Sequence, residues 1–247
     1  MPDLGHLLNG SEGISLLCVL HYVEQAPGLF TNATIAVGGI AVVQTLPIEQ
    51  LTLYDLEQQF GLQEVADASF FSEWQDDLPA LSSAEQERLA RVEAAYANLE
   101  RRSLLENTVK LAVVAPLLDL AGLFLPPFYV TTEKTVEITA TADELTLMGR
   151  LDVLVLKDQL WVLVIESKRA EFSLKVGIPQ VFGYMAAPDS PLPLYGLVTN
   201  GSSFVFVKLV GRQYARSKEL ILDQDQGLAQ TLQIMKALAK IVAEDSH

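Results

Sequence analysis

The first third of the chain has no positive charge. No lysine or arginine precedes Arg88, and the single cysteine of the protein is Cys18. One cysteine cannot form an internal disulfide, and such sparse use of cysteine is typical of a reducing compartment. A secretory signal normally opens with a basic segment, so export is not indicated. We therefore expect a cytoplasmic protein.

Apolar runs of membrane-spanning length are also absent. The longest run near the start, Ile14 to Val23, is interrupted by His21. It reaches about half of the ~20 residues that a bilayer-spanning helix needs. A second run at residues 35–43 has the same shortfall. The sequence therefore predicts no membrane association.

The acidic residues are distributed unevenly. The formal net charge is -14, which is unfavourable for approach to a polyanion. Residues 1–87 hold 13 of the 31 acidic residues and none of the 17 basic ones, whereas residues 88–247 are close to neutral. We interpret the acidic third as solvated surface, the alternative being a partner-binding or DNA-mimicking face.

Three parts can be distinguished along the 247 residues. Residues 1–47 show no sustained periodicity and form a poorly defined segment, which we expect to be dispensable for the core. Residues 48–102 are predicted to be a mainly helical extension, with Thr52 and Asp55 opening one helix that ends at Gly61. Ser82 and Glu85 open the next helix. Residues 103–247 are predicted to form the main domain.

The main domain shows the pattern of an α/β fold. Ser103 and Glu106 have capping-box spacing before an apolar helix that ends at Gly122. Three segments rich in β-branched residues follow, then a helix at about 173–187. Two strands joined by an Asn200-Gly201 turn precede a closing amphipathic helix. This order predicts a mixed central sheet flanked by helices.

Ionisable residues interrupt two of the predicted strands, which are otherwise almost continuously apolar. Side chains alternate across a strand, so Glu166 and Lys168 share one face. If the intervening turn has three residues centred on Gln159, antiparallel pairing sets Asp152 directly opposite Glu166. Such carboxylates can hold Mg²⁺ or Mn²⁺, and the lysine can orient the attacking water. The alternative is a structural ion network that satisfies itself.

With these residues the sequence resembles the PD-(D/E)XK nucleases, and among them the nuclease module of type I restriction enzyme R (motor) subunits. The resemblance covers about Leu104 to Leu209. It is carried by Asp152, by Glu166-Ser167-Lys168 as the E-x-K element, and by Gln180 to Tyr184 as the Q-x-x-x-Y element. Leu151 stands where the family name has proline. The family's restriction-endonuclease-like core has the order αβββαβ, which matches the predicted elements.

The resemblance implies a role for each of these positions. Asp152 and Glu166 bind the metal, the main-chain carbonyl of Ser167 adds a ligand, and Lys168 is catalytic. Gln180 shares a helix face with Tyr184, where both would touch the active site and a DNA backbone. Glu106 stands where some relatives carry a further acidic residue, although its capping-box position also explains it. Basic residues that could contact phosphates are Lys157, Arg169, Lys175, Lys208 and Arg212.

The sequence therefore predicts a Mg²⁺-dependent endodeoxyribonuclease of a restriction or repair system. It contains no phosphate-binding loop of the motor type, so it resembles the stand-alone, cyanobacterial-type form of these R-subunit-like proteins. DNA is the expected partner, with a protein partner or a second copy in addition. The alternatives are a catalytically silent interaction or regulatory module with the nuclease fold, and a nuclease directed at RNA.

Overall fold

The computed structural model describes residues 44–102, 104–140, 145–157, 160–167, 173–186 and 190–244. Packing divides the chain into two compact units, Met1–Thr45 and Leu46–His247. The architecture below is that of the second unit. Among the described residues, no helix combines the length and the apolar character needed to cross a bilayer.

In the described residues of this unit the structure has five longer helices and a set of strands. Strand β1 crosses the N-terminal boundary of the unit. The helices are α1 Leu53–Gln59, α2 Ser83–Leu99, α3 (Glu106–Val109, Lys110–Val114 and Ala115–Leu120 in continuous sequence), α4 Gly177–Met185 and α5 Gly227–Glu244. The strands are β1 Gln44–Pro47, β2 Gln63–Glu64, β3 Phe128–Ala140, β4 Leu145–Lys157, β5 Leu160–Ser167, β6 Leu194–Thr199, β7 Ser203–Val210, β8 Gln213–Arg216 and β9 Leu220–Ile221.

The first two helices begin where the sequence predicts. The Thr52 amide donates to the Asp55 carboxylate at 2.9 Å, and the Asp55 amide donates back to the Thr52 hydroxyl at 3.2 Å. Ser82 and Glu85 form the same reciprocal box at the start of α2. These bonds satisfy amides that have no partner within the first turn. After α1 the chain turns at Gly61, which has a φ of 66°.

Helix α3 begins later than predicted and contains a π-helical turn. Its first residue is Glu106, with Leu105 at the N-cap position and no side-chain cap. The predicted capping box is therefore wrong for Glu106, and Ser103 lies outside the described residues. The π turn runs from Lys110 to Val114 and is followed by Pro116. Proline has no N–H, and its ring clashes with the carbonyl one turn earlier, so regular α-helical hydrogen bonding is interrupted there. The helix ends before Gly122, as predicted.

A mixed sheet forms the centre of the unit. Strand β3 pairs with β4, β4 with β5, β6 with β7 and β7 with β8, all antiparallel, whereas β5 and β6 are parallel. The crossover from β5 to β6 contains α4, as parallel neighbours require. Strand β2 adds a parallel pair at β8, and β9 pairs with β7.

The pairing of β4 with β5 reaches the predicted register by a different route. Lys157 pairs with Leu160, so two residues separate the strands and the predicted three-residue turn is wrong. A bulge follows, because β5 advances from Trp161 to Leu163 while β4 moves only from Leu156 to Val155. The extra residue restores the spacing that a three-residue turn would have given. From there the strands continue as Val153 opposite Ile165.

Apolar residues cover both faces of the sheet. On one face, α2, α3 and α5 pack against alternate residues such as Val153, Val155 and Ile165. On the other, α1 and α4 pack against Leu154, Leu156 and their neighbours. The predicted α/β class with a mixed sheet flanked by helices is confirmed, and the arrangement is compatible with a restriction-endonuclease-like fold.

Residues 48–102 also contribute to the sheet and to the core. Strand β2 lies within them, and Ile48 and Leu56 are fully buried in the cluster that contains α4. The strands β2, β8 and β9 were not predicted. Each has only two to four residues, too few to show a period, and β2 is exposed.

Gly149 in β4 and Gly183 in α4 leave space for the side chain of Ile48 between them. A Cβ at Gly149 in β4 would lie 2.2 Å from Ile48 Cγ2 and 2.8 Å from the Tyr184 ring. A Cβ at Gly183 in α4 would lie 2.8 Å from Ile48 Cδ1. Real Cβ atoms do not approach other atoms so closely, so the side chain of Ile48 fills the space that these glycines leave.

This packing predicts a non-additive pair of substitutions. Gly149→Ala should destabilise the protein by about 1–3 kcal/mol through overpacking, and Ile48→Ala by about 2–5 kcal/mol through a cavity. The double variant should cost less than the two single costs together, by about 0.5–3 kcal/mol, because the smaller side chain at 48 accommodates the added methyl group. Urea unfolding of the four proteins measures this difference. If the losses in free energy of unfolding of the two single variants simply add in the double variant, residues 48 and 149 do not pack against each other as described.

Candidate metal centre

Three carboxylates converge where β4 and β5 meet the start of α3. The pairing of β4 with β5 ends at Val153 and Ile165, so Asp152 and Glu166 each lie one residue beyond the last pair. Glu106 reaches the same place from the first turn of α3. One oxygen from each of the three side chains lies within 4.8 Å of the other two. The structure thus brings together residues that are up to 60 positions apart in sequence.

Asp152 lies at an interruption in the alternation of its strand. Leu151 and Leu154 pack in the same hydrophobic cluster, although they are three residues apart. The facing strand is irregular at the same level, where Glu133 has a φ of 55° and is passed over by the pairing. Irregularities of this kind redirect side chains and are common beside functional sites. Here the irregularity falls at the carboxylate itself.

Lys110 supplies positive charge to the cluster. It stands four residues after Glu106, on the same face of α3, and its Nζ is 2.9 Å from Asp152 Oδ1. Both side chains are largely buried, with 17% and 13% of their surfaces exposed. Lys110 was not among the site residues predicted from the sequence. A signal existed, because Glu106 and Lys110 form an i, i+4 acid–base pair and Lys110 is the one charged residue between Glu106 and Asp119.

Tyr184 supports the strand that carries Asp152. Its hydroxyl donates a hydrogen bond of 3.0 Å to the carbonyl of Arg150, two residues before Asp152. Burial raises the pKa of Tyr184 above its usual range, and the negative charges of Glu166, Glu49 and Asp152 raise it further. The phenol therefore stays protonated and remains a donor.

Gln180 is buried within α4. Only 2% of its surface is accessible, and every residue of α4 from Gly177 to Met185 is buried. This burial follows because α4 is covered by the sheet and by the segment around Ile48 and Leu51. Neither Gln180 nor Tyr184 presents surface to a DNA backbone in this arrangement.

Other predicted site residues lie at or beyond the end of β5. Ser167 is the last residue of that strand. Lys168 and Arg169 follow it and lie outside the described residues, so their roles stay predictions. Lys175 is exposed, in the short helical turn that precedes α4.

Two of the basic residues considered for phosphate contacts, Lys157 and Lys208, form hydrogen bonds with other groups of the protein. Lys157 Nζ donates to the carbonyls of Val242 and Ala243, at 2.7 and 3.2 Å, in the last turn of α5. Lys208 Nζ lies 2.5 Å from the Glu73 carboxylate and 2.7 Å from a main-chain carbonyl. Arg212, which neighbours Gly61, is exposed.

The donor set of the cluster fits a hard divalent cation. All three groups are carboxylates, which Mg²⁺ and Mn²⁺ prefer over the nitrogen and sulfur ligands of softer metals. Two oxygens bound to one Mg²⁺ at about 2.1 Å are at most about 4.2 Å apart. The side chains would therefore need to move by less than about 1 Å. The arrangement can hold one cation at the junction of three elements.

Comparison with known proteins adds little to this geometry. No protein-family model matches the chain, and no curated protein matches it. Among solved structures, one match is the cryo-EM structure of a DrdV–DNA complex, with a TM-score of 0.40 and 18% sequence identity. The match covers 62% of this chain and 13% of the other. The chain thus spans about an eighth of the length of that neighbour.

The hydrogen bond of Tyr184 gives a stability prediction. Tyr184→Phe should lower stability by about 1 kcal/mol, because the partly buried hydrogen bond to the Arg150 carbonyl is lost. For a unit of this size the melting temperature should fall by about 2–4 °C. Tyr54→Phe is the matched control, since Tyr54 is 67% exposed. Equal melting temperatures for both variants would show that the bond does not support the strand.

Proposed function

We propose that the chain is a divalent-metal-dependent nuclease that hydrolyses DNA phosphodiester bonds. The observation that carries the proposal is the convergence of Glu106, Asp152 and Glu166, whose oxygens lie within 4.8 Å of one another. Carboxylates this close together in a partly buried place repel one another, and a divalent cation held between them would relieve that repulsion. The sheet that presents Asp152 and Glu166 is compatible with a restriction-endonuclease-like fold.

Each residue has a distinct task in this proposal. Asp152 and Glu166 hold Mg²⁺ or Mn²⁺, with Glu106 and the main-chain carbonyl of Ser167 as further ligands. When bound, the cation would offset charge developing on the phosphate and favour deprotonation of a water. Lys168, directly after β5, orients the attacking water and donates to the phosphate. Tyr184 fixes the main chain of β4 through its bond to Arg150, and so positions Asp152.

One observation favours a second function. Lys110 contacts Asp152 at 2.9 Å, so the cluster already contains a counter-charge of its own. In that case the charged residues would be a structural ion network within a nuclease-fold interaction or regulatory module. The acidic residues of the first third of the sequence would suit a basic partner. The two functions differ in whether the protein takes up a divalent cation.

Direct incubation with nucleic acids tests the proposal. Purified protein with Mg²⁺ or Mn²⁺ should cut supercoiled plasmid, and chelator should stop the reaction. A closed circle has no ends, so its cleavage shows an endonuclease. Cleavage of linear DNA alone would indicate an exonuclease, and cleavage of RNA alone would make RNA the substrate. No cleavage of any substrate, together with no uptake of Mn²⁺, would favour the interaction module.

Substitutions separate ligands from the catalytic lysine. Asp152→Asn and Glu166→Gln should abolish cleavage and weaken Mn²⁺ binding about tenfold or more, because each removes a charged oxygen ligand. Lys168→Ala should also abolish cleavage, yet bind Mn²⁺ at least as well as the wild type, since an ammonium repels the cation. Calorimetric titration measures the affinities, and circular dichroism checks folding.

Glu93→Gln is the control for these variants. Glu93 is exposed on α2, so its loss should change neither cleavage nor Mn²⁺ affinity. Carboxylate variants that bind Mn²⁺ as the wild type does would show that Asp152 and Glu166 are not ligands.

A further inference from the structure

The placement of Lys110 is unusual for its position on α3. Lysine is seldom buried, yet this side chain is only 17% exposed, while the next residue, Leu111, is 75% exposed. In this part of α3 the charged side chain of Lys110 is largely buried, and the apolar side chain of Leu111 is exposed to solvent. Burying an ammonium is unfavourable unless it is paired. The pairing with Asp152 must therefore compensate for this arrangement.

The local helix geometry changes at the same residue. Lys110 is the first residue of the π-helical turn, and Glu106 stands four positions before it in the preceding α-helical turn. A π turn widens the helix by one residue and frequently marks a functional position. Here it begins at the residue that carries the cationic group into the carboxylate cluster.

The ammonium stands close to the place where a divalent cation would bind. Its Nζ contacts Asp152 Oδ1 at 2.9 Å, a distance typical of a charge-assisted hydrogen bond. A cation that took Asp152 as a ligand would meet a positive charge beside that oxygen. Two cations so close repel strongly in a partly buried site. Metal binding and the present contact of Lys110 with Asp152 therefore disfavour each other.

We propose that Lys110 is an internal counter-ion that is exchanged for the metal. In the metal-free protein it offsets part of the negative charge of the cluster through its contact with Asp152. When a divalent cation binds, Lys110 releases Asp152 and its flexible side chain moves away. Lys110 is then a positioning residue, which acts through Asp152. This inference rests on the proposed metal centre.

A stability measurement with and without metal tests the exchange. In chelator, Lys110→Met should lower the melting temperature of the full chain by roughly 5–10 °C, because the carboxylates lose their counter-charge. In saturating Mn²⁺ this loss should largely disappear, since the metal supplies the charge. Mn²⁺ should also bind the variant about tenfold more tightly than the wild type, because no ammonium has to be displaced.

Three further variants complete the test. Lys110→Arg keeps the charge and should restore the metal-free melting temperature. Asp152→Asn combined with Lys110→Met should be more stable in chelator than Lys110→Met alone, because one repelling charge is gone. Lys240→Met is the matched control, since Lys240 is 75% exposed, and it should change neither value. A loss for Lys110→Met that is equal in chelator and in Mn²⁺ would overturn the exchange and leave a structural ion pair.

The wild-type protein provides a readout that does not depend on any variant folding. Acylation of lysines by a small amine-reactive reagent can be measured at each residue by mass spectrometry. Lys110 should react several times faster when Mn²⁺ is bound, and Lys240 should react at the same rate throughout. If calorimetry shows Mn²⁺ binding but the reactivity of Lys110 does not rise, the exchange is wrong while the metal centre stands. If the wild type binds no Mn²⁺, both are wrong.

Discussion

Repulsion between three carboxylates is the constraint to which the rest of the site responds. Two unit charges 4.8 Å apart cost about 3–4 kcal/mol at an effective dielectric constant of ~20. Strands β4 and β5 and helix α3 must hold the carboxylates against this force. Lys110 offsets part of it from within the same helix. The hydrogen bond from Tyr184 to the main chain of β4 adds rigidity beside Asp152.

Much of the fold could be predicted from the sequence because its signals are local. Reciprocal caps at Thr52 and Ser82, and a glycine with positive φ after α1, are determined by residues close in sequence. The richness of β3, β4 and β5 in β-branched residues predicted these strands for the same reason. Strand pairs further apart, such as β2 with β8, depend on chain packing and leave no local pattern.

The site was predictable where it depends on strand pairing and unpredictable where it depends on packing between layers. Asp152 and Glu166 belong to adjacent strands, so their proximity could be predicted from strand pairing, whereas the irregularity at Asp152 could not. The contact of Lys110 with Asp152 requires knowing where α3 lies on the sheet. The burial of Gln180 likewise depends on the cover over α4, to which Ile48 and Leu51 contribute from far away in the sequence.

The bulge between β4 and β5 links the length of the turn to the geometry of the site. The two residues of the connection and the one extra residue in β5 together set Val153 opposite Ile165, directly beside Asp152 and Glu166. A residue inserted into the turn would shift Glu166 by one position and turn it to the opposite face. Loss of the bulge residue at the same time would cancel that shift. Insertions and deletions in this hairpin should therefore be tolerated only in compensating pairs, so homologues with a longer turn should have a regular strand after it.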